Sequence, residues 1–377
     1  MKNTISRPTG SLLKILMLLC LFLVNATACT TLVIQHDGRL LFARNLDWIS
    51  GTGLVIINPR NLQKQALGDS SRHPARWVAR YGSVTFNQVG RELPFGGINE
   101  AGLVVEHMTL DCTIYPARDS RPSISAFQWI QFQLDNYATV EDVINSDKFL
   151  RIEDGRSKIH FLVCDRRGHS AVIEFLDGRM VCRTGAELPV RALANSTYDE
   201  SIRSFGGNGG NRSNPSLDHF CTAAKRAADA DTSTHASAVD YAFHSLRMVS
   251  QGLFTKWSIV YDITAMQVYF KIYETPAIVG VNKIFRKQPP YDPPTKVVEL
   301  SEIDFGRGIE AQVLDLDDPH DNTVNPYFVK YSAAINKAFI SKAFEFYKGW
   351  GIDVTLKDTE IDGLSKYPES FRCIETE

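Results

Sequence analysis

The chain has 377 residues, of which 44% are apolar, 22% charged and 10% aromatic, and its formal net charge is −2. That apolar share builds a substantial core and excludes a disordered chain, while near-neutral charge gives no case for a nucleic-acid partner. Seven cysteines in this length are too few for a disulfide scaffold, which leaves a globular enzyme or binding protein.

Residues 1–28 carry Lys2, Arg7 and Lys14, then an apolar run at 15–24, then Asn25, Ala26, Thr27 and Ala28. This is the pattern of a secretory signal peptide, and a run of about ten residues is too short for a bilayer core of roughly 30 Å. The expectation is an exported, periplasmic or secreted protein with no transmembrane segment once residues 1–28 are gone. Residues 29–377 then read as one domain whose first residue is Cys29. Three roles compete for that cysteine: an incidental residue, a lipidated residue, or an N-terminal nucleophile whose own α-amine is the base. Lipidation usually wants Leu three positions earlier, where Ala26 stands, and it would consume both groups that nucleophilic chemistry needs.

Residues 29–35 alternate and are β-branched, the D-G pair at 37–38 marks a turn, and residues 40–44 return as a strand. Further strands are expected at 53–58, 84–87 and 103–108. A meander is expected at 158–164, 170–175 and 179–183, and a late hairpin at 257–261 with 267–272. Helices are expected at 126–136 behind Ser125, after Thr139 with Asp142 as a capping box, from Asp218 to 230, at 236–250, and at 331–348 with Ile335, Phe339 and Ala343 on one stripe. Strand meanders beside clustered helices, without regular β-α-β alternation, argue an α+β fold. The glycine-rich stretch at 206–215 and the proline-rich stretch at 288–294 read as ordinary connections.

G-x-S-x-G, H-E-x-x-H, Walker A and C-x-x-C motifs are all absent. The nine histidines show no metal-ligand spacing, and His107 and His160 fall inside strand patterns, as satisfied structural residues do. No cofactor is expected. What remains is Cys29 with Arg44 and Asp47, which the first hairpin brings back beside the start of its first strand. A guanidinium favours the thiolate, a carboxylate orients an α-amine, and that amine has an unperturbed pKa near 7.7–8.0, suited to a general base. Nucleophile, base and two orienting charges are thus present without histidine. The competing reading is a surface Arg–Asp pair at a hairpin end.

The string C-T-T-L-x5-G-x3-F-A-R-N-L-D-W at 29–48, G-I-N-E-A-G-L at 97–103 and L-A-N-S at 193–196 together resemble the choloylglycine hydrolase family, N-terminal-nucleophile amidases that include bile salt hydrolases and penicillin V acylases. The resemblance implies an αββα four-layer sandwich, two antiparallel sheets between helix layers. It also implies a small-molecule N-acyl amide as substrate, with Cys29 attacking the carbonyl, Arg44 and Asp47 acting as above, and the Asn195 side chain and the Thr109 backbone N–H receiving the oxyanion. The family's helical Arg falls near 219–226, where Lys225, or alternatively Arg226, is expected to supply the charge, although a Lys cannot reproduce a bidentate fork. Thr109 matches neither the Asn of bile salt hydrolases nor the aromatic residue of penicillin V acylases. The stretch between Asn195 and Lys225 is short for the family's tetramer arm. The five cysteines Cys112, Cys164, Cys182, Cys221 and Cys373 are expected to be mostly free and buried, with Cys164 and Cys182 kept apart on the outer strands of the meander. The alternative reading is a non-enzymatic envelope lipoprotein lipidated at Cys29.

Overall fold

The first hairpin sets the frame. Asp37 and Gly38 sit at φ of 50° and 70°, the pair of left-handed residues that a two-residue turn between right-twisting strands requires. Strand β1 (Thr30–His36) therefore folds back on β2 (Arg39–Asp47), with Thr30 opposite Asn45 and Thr31 opposite Arg44. The computed structural model describes residues 29–67, 73–153, 157–207, 214–232, 237–273, 292–306, 310–349 and 356–374. The expected signal peptide at 1–28, positions 208–213 of the glycine-rich stretch and 288–291 of the proline-rich one lie outside the described residues.

After the hairpin the chain lays down β3 (Leu54–Asn58), β4 (Ser83–Asn87), β5 (Pro94–Asn99), β6 (Val104–Thr109), α1 (Ala126–Asn136) and α2 (Val140–Asn145). The meander β7 (Ile159–Cys164), β8 (Ser170–Leu176) and β9 (Arg179–Thr184) comes next, then β10 (Ala192–Leu193), α3 (Tyr198–Gly206), α4 (Pro215–Ala228) and α5 (Ala238–Met248). The hairpin β11 (Thr255–Asp262) and β12 (Gln267–Ile272) precedes β13 (Lys296–Glu299), β14 (Gln312–Asp315), β15 (Asn322–Thr323), β16 (Val329–Lys330), α6 (Ala333–Gly349) and α7 (Asp358–Lys366). One sheet runs β10-β1-β2-β11-β12-β13-β15 and the other β9-β8-β7-β6-β5-β4-β3-β14-β16. Within them every pairing is antiparallel except β13 with β15.

Both sheets are covered on both faces, so central strands are buried at nearly every position; β3 and β11 are buried throughout, the latter with Thr255, Lys256, Ser258 and Asp262 among its residues. Phe42, Trp257 and Tyr261 of the first sheet meet Phe86, Val104 and Met108 of the second, and Phe220, Tyr241 and Leu246 of α4 and α5 join the same cluster. On the far side Leu103, Val105, Phe161 and Ile173 pack against Trp129, Ile130 and Leu134 of α1, and Phe339 of α6 packs on Leu54, Ile56 and Val313. The result is the expected αββα sandwich.

Several local expectations shift. Helix α4 starts at Pro215 behind Asn214, whose side chain accepts from the N–H groups of Ser216 and Leu217. Asp218 therefore lies inside the first turn rather than capping it; a proline at the first helical position is pre-organised for this earlier start. Helix α3, with Thr197 and Glu200 forming a capping box, fills the stretch in which the family's arm was sought, and it packs against α4 through the Phe205–Phe220 edge contact. All six described cysteines are free. Cys29, Cys164 and Cys221 are buried and Cys182 half-buried, whereas Cys112 and Cys373 are exposed, against the expectation of burial. Strand β8 separates Cys164 from Cys182, as the meander implied.

The block at 97–103 proves structural. Asn99 is fully buried; its amide donates to the carbonyls of Leu134 (2.8 Å) and Tyr137 (2.7 Å) on α1. Its oxygen accepts from the N–H groups of Ala101 (3.1 Å) and Leu103 (2.9 Å). Glu100 holds Arg60 (2.6 Å) and the Gly82 N–H (2.7 Å), and Gly102 turns the chain at φ 84°. The turn thus clamps β5 and β6 to α1. Truncating Asn99→Ala removes the partner of four backbone groups, two of them in buried residues and two in half-buried ones, so we expect a loss of about 3 kcal/mol in stability, read by urea unfolding.

Candidate active site

Cys29 stands immediately before β1 and is only 6% exposed. Its Sγ–H points at the backbone carbonyl of Asp47, 3.6 Å away at the end of β2, just beyond the Thr30–Asn45 pair with which the ladder of β1 and β2 ends. Asp47 is buried as well. Its Oδ1 accepts a short hydrogen bond from the Thr255 hydroxyl, and its Oδ2 has no hydrogen-bond partner among the described residues. Burial pushes the Asp47 carboxyl up to about 7, against the pull of Thr255 and Arg44.

Arg44 lies in the middle of β2, between Thr31 of β1 and Ile259 of β11, with no solvent exposure. Its Nη1 is 3.0 Å from Glu106 Oε2, and Nη2 donates to the His107 carbonyl at 3.3 Å. One guanidinium therefore spans the two sheets. Arg44 does favour the Cys29 thiolate, as the sequence suggested, but it does not prevail. Burial pushes the thiol up to about 11, and the Asp47 and Glu106 carboxylates add to the rise, so the group is a neutral thiol at physiological pH.

Antiparallel pairing of Thr31 with Leu193, carried two residues on, puts Asn195 level with Cys29. Its segment is pinned on both sides. His160 Nε2 bonds the Ala194 carbonyl at 2.7 Å, and Ser196 Oγ donates to Ser216 Oγ at 2.8 Å. His160 is thus structural, and so is His107, whose ring bonds the Phe95 carbonyl and whose pKa burial lowers to about 3. Thr109 ends β6. The next N–H, that of Leu110, goes to Lys158 beside β7 at 3.0 Å; alternation along a strand turns the Thr109 N–H to the opposite edge, where pairing with β5 has already stopped at Glu106.

Lys225 does not join this group. Helix α4 buries Ser216, Phe220, Cys221, Ala223 and Ala224, and its 3.6-residue period leaves Lys225 exposed on the outer face. Arg226 turns to α5 instead, bonding Ser245 (3.1 Å) and His244 (3.3 Å) and lying 4.2 Å over the Tyr241 ring. The residue that α4 brings to the start of β1 is His219, whose Nδ1 is 3.4 Å from Thr30 Oγ1.

Three other groups escaped the sequence reading. Thr255 reaches Asp47 only because β11 pairs with β2. Lys256 occupies an irregularity in that pairing, between Thr255 and Trp257; it is buried, donates to the Leu253 carbonyl at 2.6 Å, and is pushed down to about 8 by burial against the pull of Asp47. Glu106 had a signal, a lone carboxylate in the apolar strand V-V-E-H-M at 104–108. Among the described residues no group of three or more His, Cys, Asp or Glu is placed to hold a metal ion, and no helix is long and apolar enough to cross a membrane.

A cysteine, a carboxylate and a buried guanidinium at the head of an αββα sandwich invite comparison with known proteins. Residues 29–201 match the linear amide C–N hydrolases, choloylglycine hydrolase family. The chain is 29% identical over 196 residues to the penicillin V acylase of Pectobacterium atrosepticum, covering 46% of this chain and 51% of that protein. It thus spans about half the length of that curated relative. Its fold is similar to that of penicillin V acylase from Agrobacterium tumefaciens (TM-score 0.65, 23% identity, 81% of this chain and 98% of that one). It is also similar to a mutant of the conjugated bile acid hydrolase from Clostridium perfringens (TM-score 0.59, 16% identity, 79% and 99%).

The raised Asp47 carboxyl makes a stability prediction for the full-length chain, in which the Cys29 nitrogen is an amide and brings no compensating charge. A carboxyl whose folded pKa lies above its ordinary 3.8 contributes stability that is fully present below pH 3.8 and is lost as pH rises through about 7. Asp47→Asn removes that dependence. Urea unfolding at pH 5 and pH 8 should show the variant gaining on the wild type at the higher pH.

Proposed function

We propose that this chain is an exported thiol amidase of linear, non-peptide C–N bonds, acting through Cys29 once residues 1–28 have been removed. The observation that carries the reading is the placement of the Cys29 thiol against the end of β2 at Asp47, with Arg44 on the same strand. It is supported by the match over residues 29–201 to a family of such hydrolases.

Cleavage after Ala28 replaces an amide by an α-amine, the one basic group the site lacks. Asp47 Oδ2, buried and without a hydrogen-bond partner among the described residues, is the natural acceptor for it. The thiol proton passes to the amine as Sγ attacks the substrate carbonyl. A neutral thiol suits this order, since it stays protonated until the base takes its proton. The oxyanion is received by the Asn195 side-chain N–H and the Thr109 N–H; such donors contribute a few kcal/mol each to the transition state. Collapse expels the amine leaving group, which takes the proton from the α-amine. Water, deprotonated by the same amine, then opens the thioester and restores Cys29. Lys225 has no part in this sequence, because it faces outward on α4.

The substrate class is N-acyl amides with a bulky apolar acyl group, such as conjugated bile salts, penicillin V or acyl-homoserine lactones. The relatives named for penicillin V and for conjugated bile acids support the first two. Burial of Cys29 in the core cluster between the sheets speaks against the lipoprotein reading, since an acylated N-terminus must leave the fold to reach a membrane.

Mature protein beginning at Cys29 should hydrolyse at least one of the three substrate classes, measured as released amine. Cys29→Ala should abolish turnover, and Cys29→Ser should reduce it at least a hundredfold. Intact mass should show an unmodified N-terminal cysteine; a diacylglycerol adduct there would overturn the reading.

A further inference from the structure

A carboxylate on the opposite sheet from the nucleophile completes this site. Glu106 has no exposed surface, and its strand alternates so that Val104, Glu106 and Met108 face the other sheet. Three neighbouring strands converge on its carboxyl. From β2, Arg44 Nη1 approaches Oε2 at 3.0 Å. From β11, the Tyr261 hydroxyl donates to Oε1 at 2.5 Å. From β5, Gly96 lies directly opposite Glu106, and a Cβ there would meet the carboxyl atoms at 2.1–2.2 Å. The carboxyl thus occupies space that only a glycine leaves open. Beyond Arg44 lie Cys29 and Asp47, both of which respond to the Arg44 charge.

An isolated buried carboxylate in an apolar core is costly, and a buried ion pair recovers the cost only when its geometry is good and its remaining lone pairs are used. Glu106 meets these conditions in part: the Arg44 charge stands 3.0 Å from Oε2 and the Tyr261 hydroxyl bonds Oε1, in space that Gly96 leaves open, while Oε2 accepts no hydrogen bond among the described residues. Resting on the thiol-amidase reading above, we propose that Glu106 is a positioning residue for the reaction. Held by Tyr261 and seated against Gly96, it fixes the Arg44 guanidinium between the sheets and sets how much of its positive charge Cys29 feels. Glu106 touches neither the nucleophile nor the bond being cleaved; it acts through Arg44.

Two signs follow. Arg44 lowers the Cys29 thiol pKa and Glu106 raises it, so removing the carboxylate charge while keeping the shape makes the thiol more acidic. Loosening Arg44 at the same time lowers turnover. The test uses mature protein carrying Glu106→Gln or Tyr261→Phe, with thermal melting to confirm folding. The pH profile of iodoacetamide alkylation is followed on the Cys29 peptide by mass spectrometry, because Cys112 and Cys373 are also exposed to reagent. Glu106→Gln should move the profile down by about one pH unit, within the range a neighbouring charge produces, and should lower kcat at least tenfold with a smaller change in KM. Tyr261→Phe, which keeps the ring and removes only the donor to Glu106, should move both readouts the same way and less far. A folded Glu106→Gln protein with the wild-type alkylation profile and kcat overturns the proposal, as does a profile moved upward. If wild type hydrolyses no amide while its alkylation profile still responds to Glu106→Gln, the amidase reading fails and the Glu106–Arg44 coupling stands.

Discussion

A guanidinium with no solvent contact is the constraint on which the rest of this structure depends. Arg44 sits in the middle of a buried strand, and moving such a charge out of water costs several kcal/mol even after relaxation. The fold offsets part of that cost by surrounding it. Glu106 crosses from the second sheet, the His107 carbonyl takes a second N–H, and Asp47 lies further along the same strand. Because these partners come from both sheets, the sandwich can close around Arg44 in only one register. A slip of one residue in β2 would turn Arg44 to the opposite face and leave Glu106 without its counter-charge.

The same burial explains why the acid–base groups depart from solution values. Asp47, Glu106 and Cys29 are all raised, and for each the first cause is loss of water rather than a neighbouring charge. Arg44 opposes all three shifts. A site of this kind resists ionisation unless a proton acceptor is supplied inside it, and the proposed cleavage after Ala28 supplies one.

How much was legible in the sequence follows the range of the interactions. The first hairpin was readable because its D-G turn and alternating strands are local, and with it came the association of Cys29, Arg44 and Asp47. The sandwich was readable through the resemblance carried by 29–48, 97–103 and 193–196, with meander and helix patterns in agreement. Glu106 was visible only as an odd residue in an apolar run, since its partners are 62 residues back in the chain at Arg44 and 155 ahead at Tyr261. Thr255 and Lys256 depend on pairing between β2 and β11, which no local pattern encodes. Lys225 was misplaced because spacing alone does not fix the phase of a helix. Capping by Asn214 starts α4 four residues earlier than Asp218 would, and the buried face then runs through Phe220 and Ala224, which brings His219 rather than Lys225 to β1.

The C-terminal region, which carried no motif, acquires a physical role through the residue after Asp47. Trp48 donates its indole N–H to the Tyr347 hydroxyl at 3.2 Å, and that hydroxyl donates to Gln88 at 2.6 Å. Gln88 in turn donates to the Ser50 carbonyl at 2.6 Å, so α6 is tied to the 48–50 segment at both ends. Ile49, Ala343 and Tyr347 form a small core with Phe254 beside it, and Phe254 immediately precedes the threonine that holds Asp47. Both chain segments that position Asp47, the end of β2 and the start of β11, are therefore buttressed by the same helix. A buried carboxyl with one oxygen unpartnered among the described residues keeps its aim only if the backbone on both sides is fixed, and α6 fixes it from about 300 residues away in sequence.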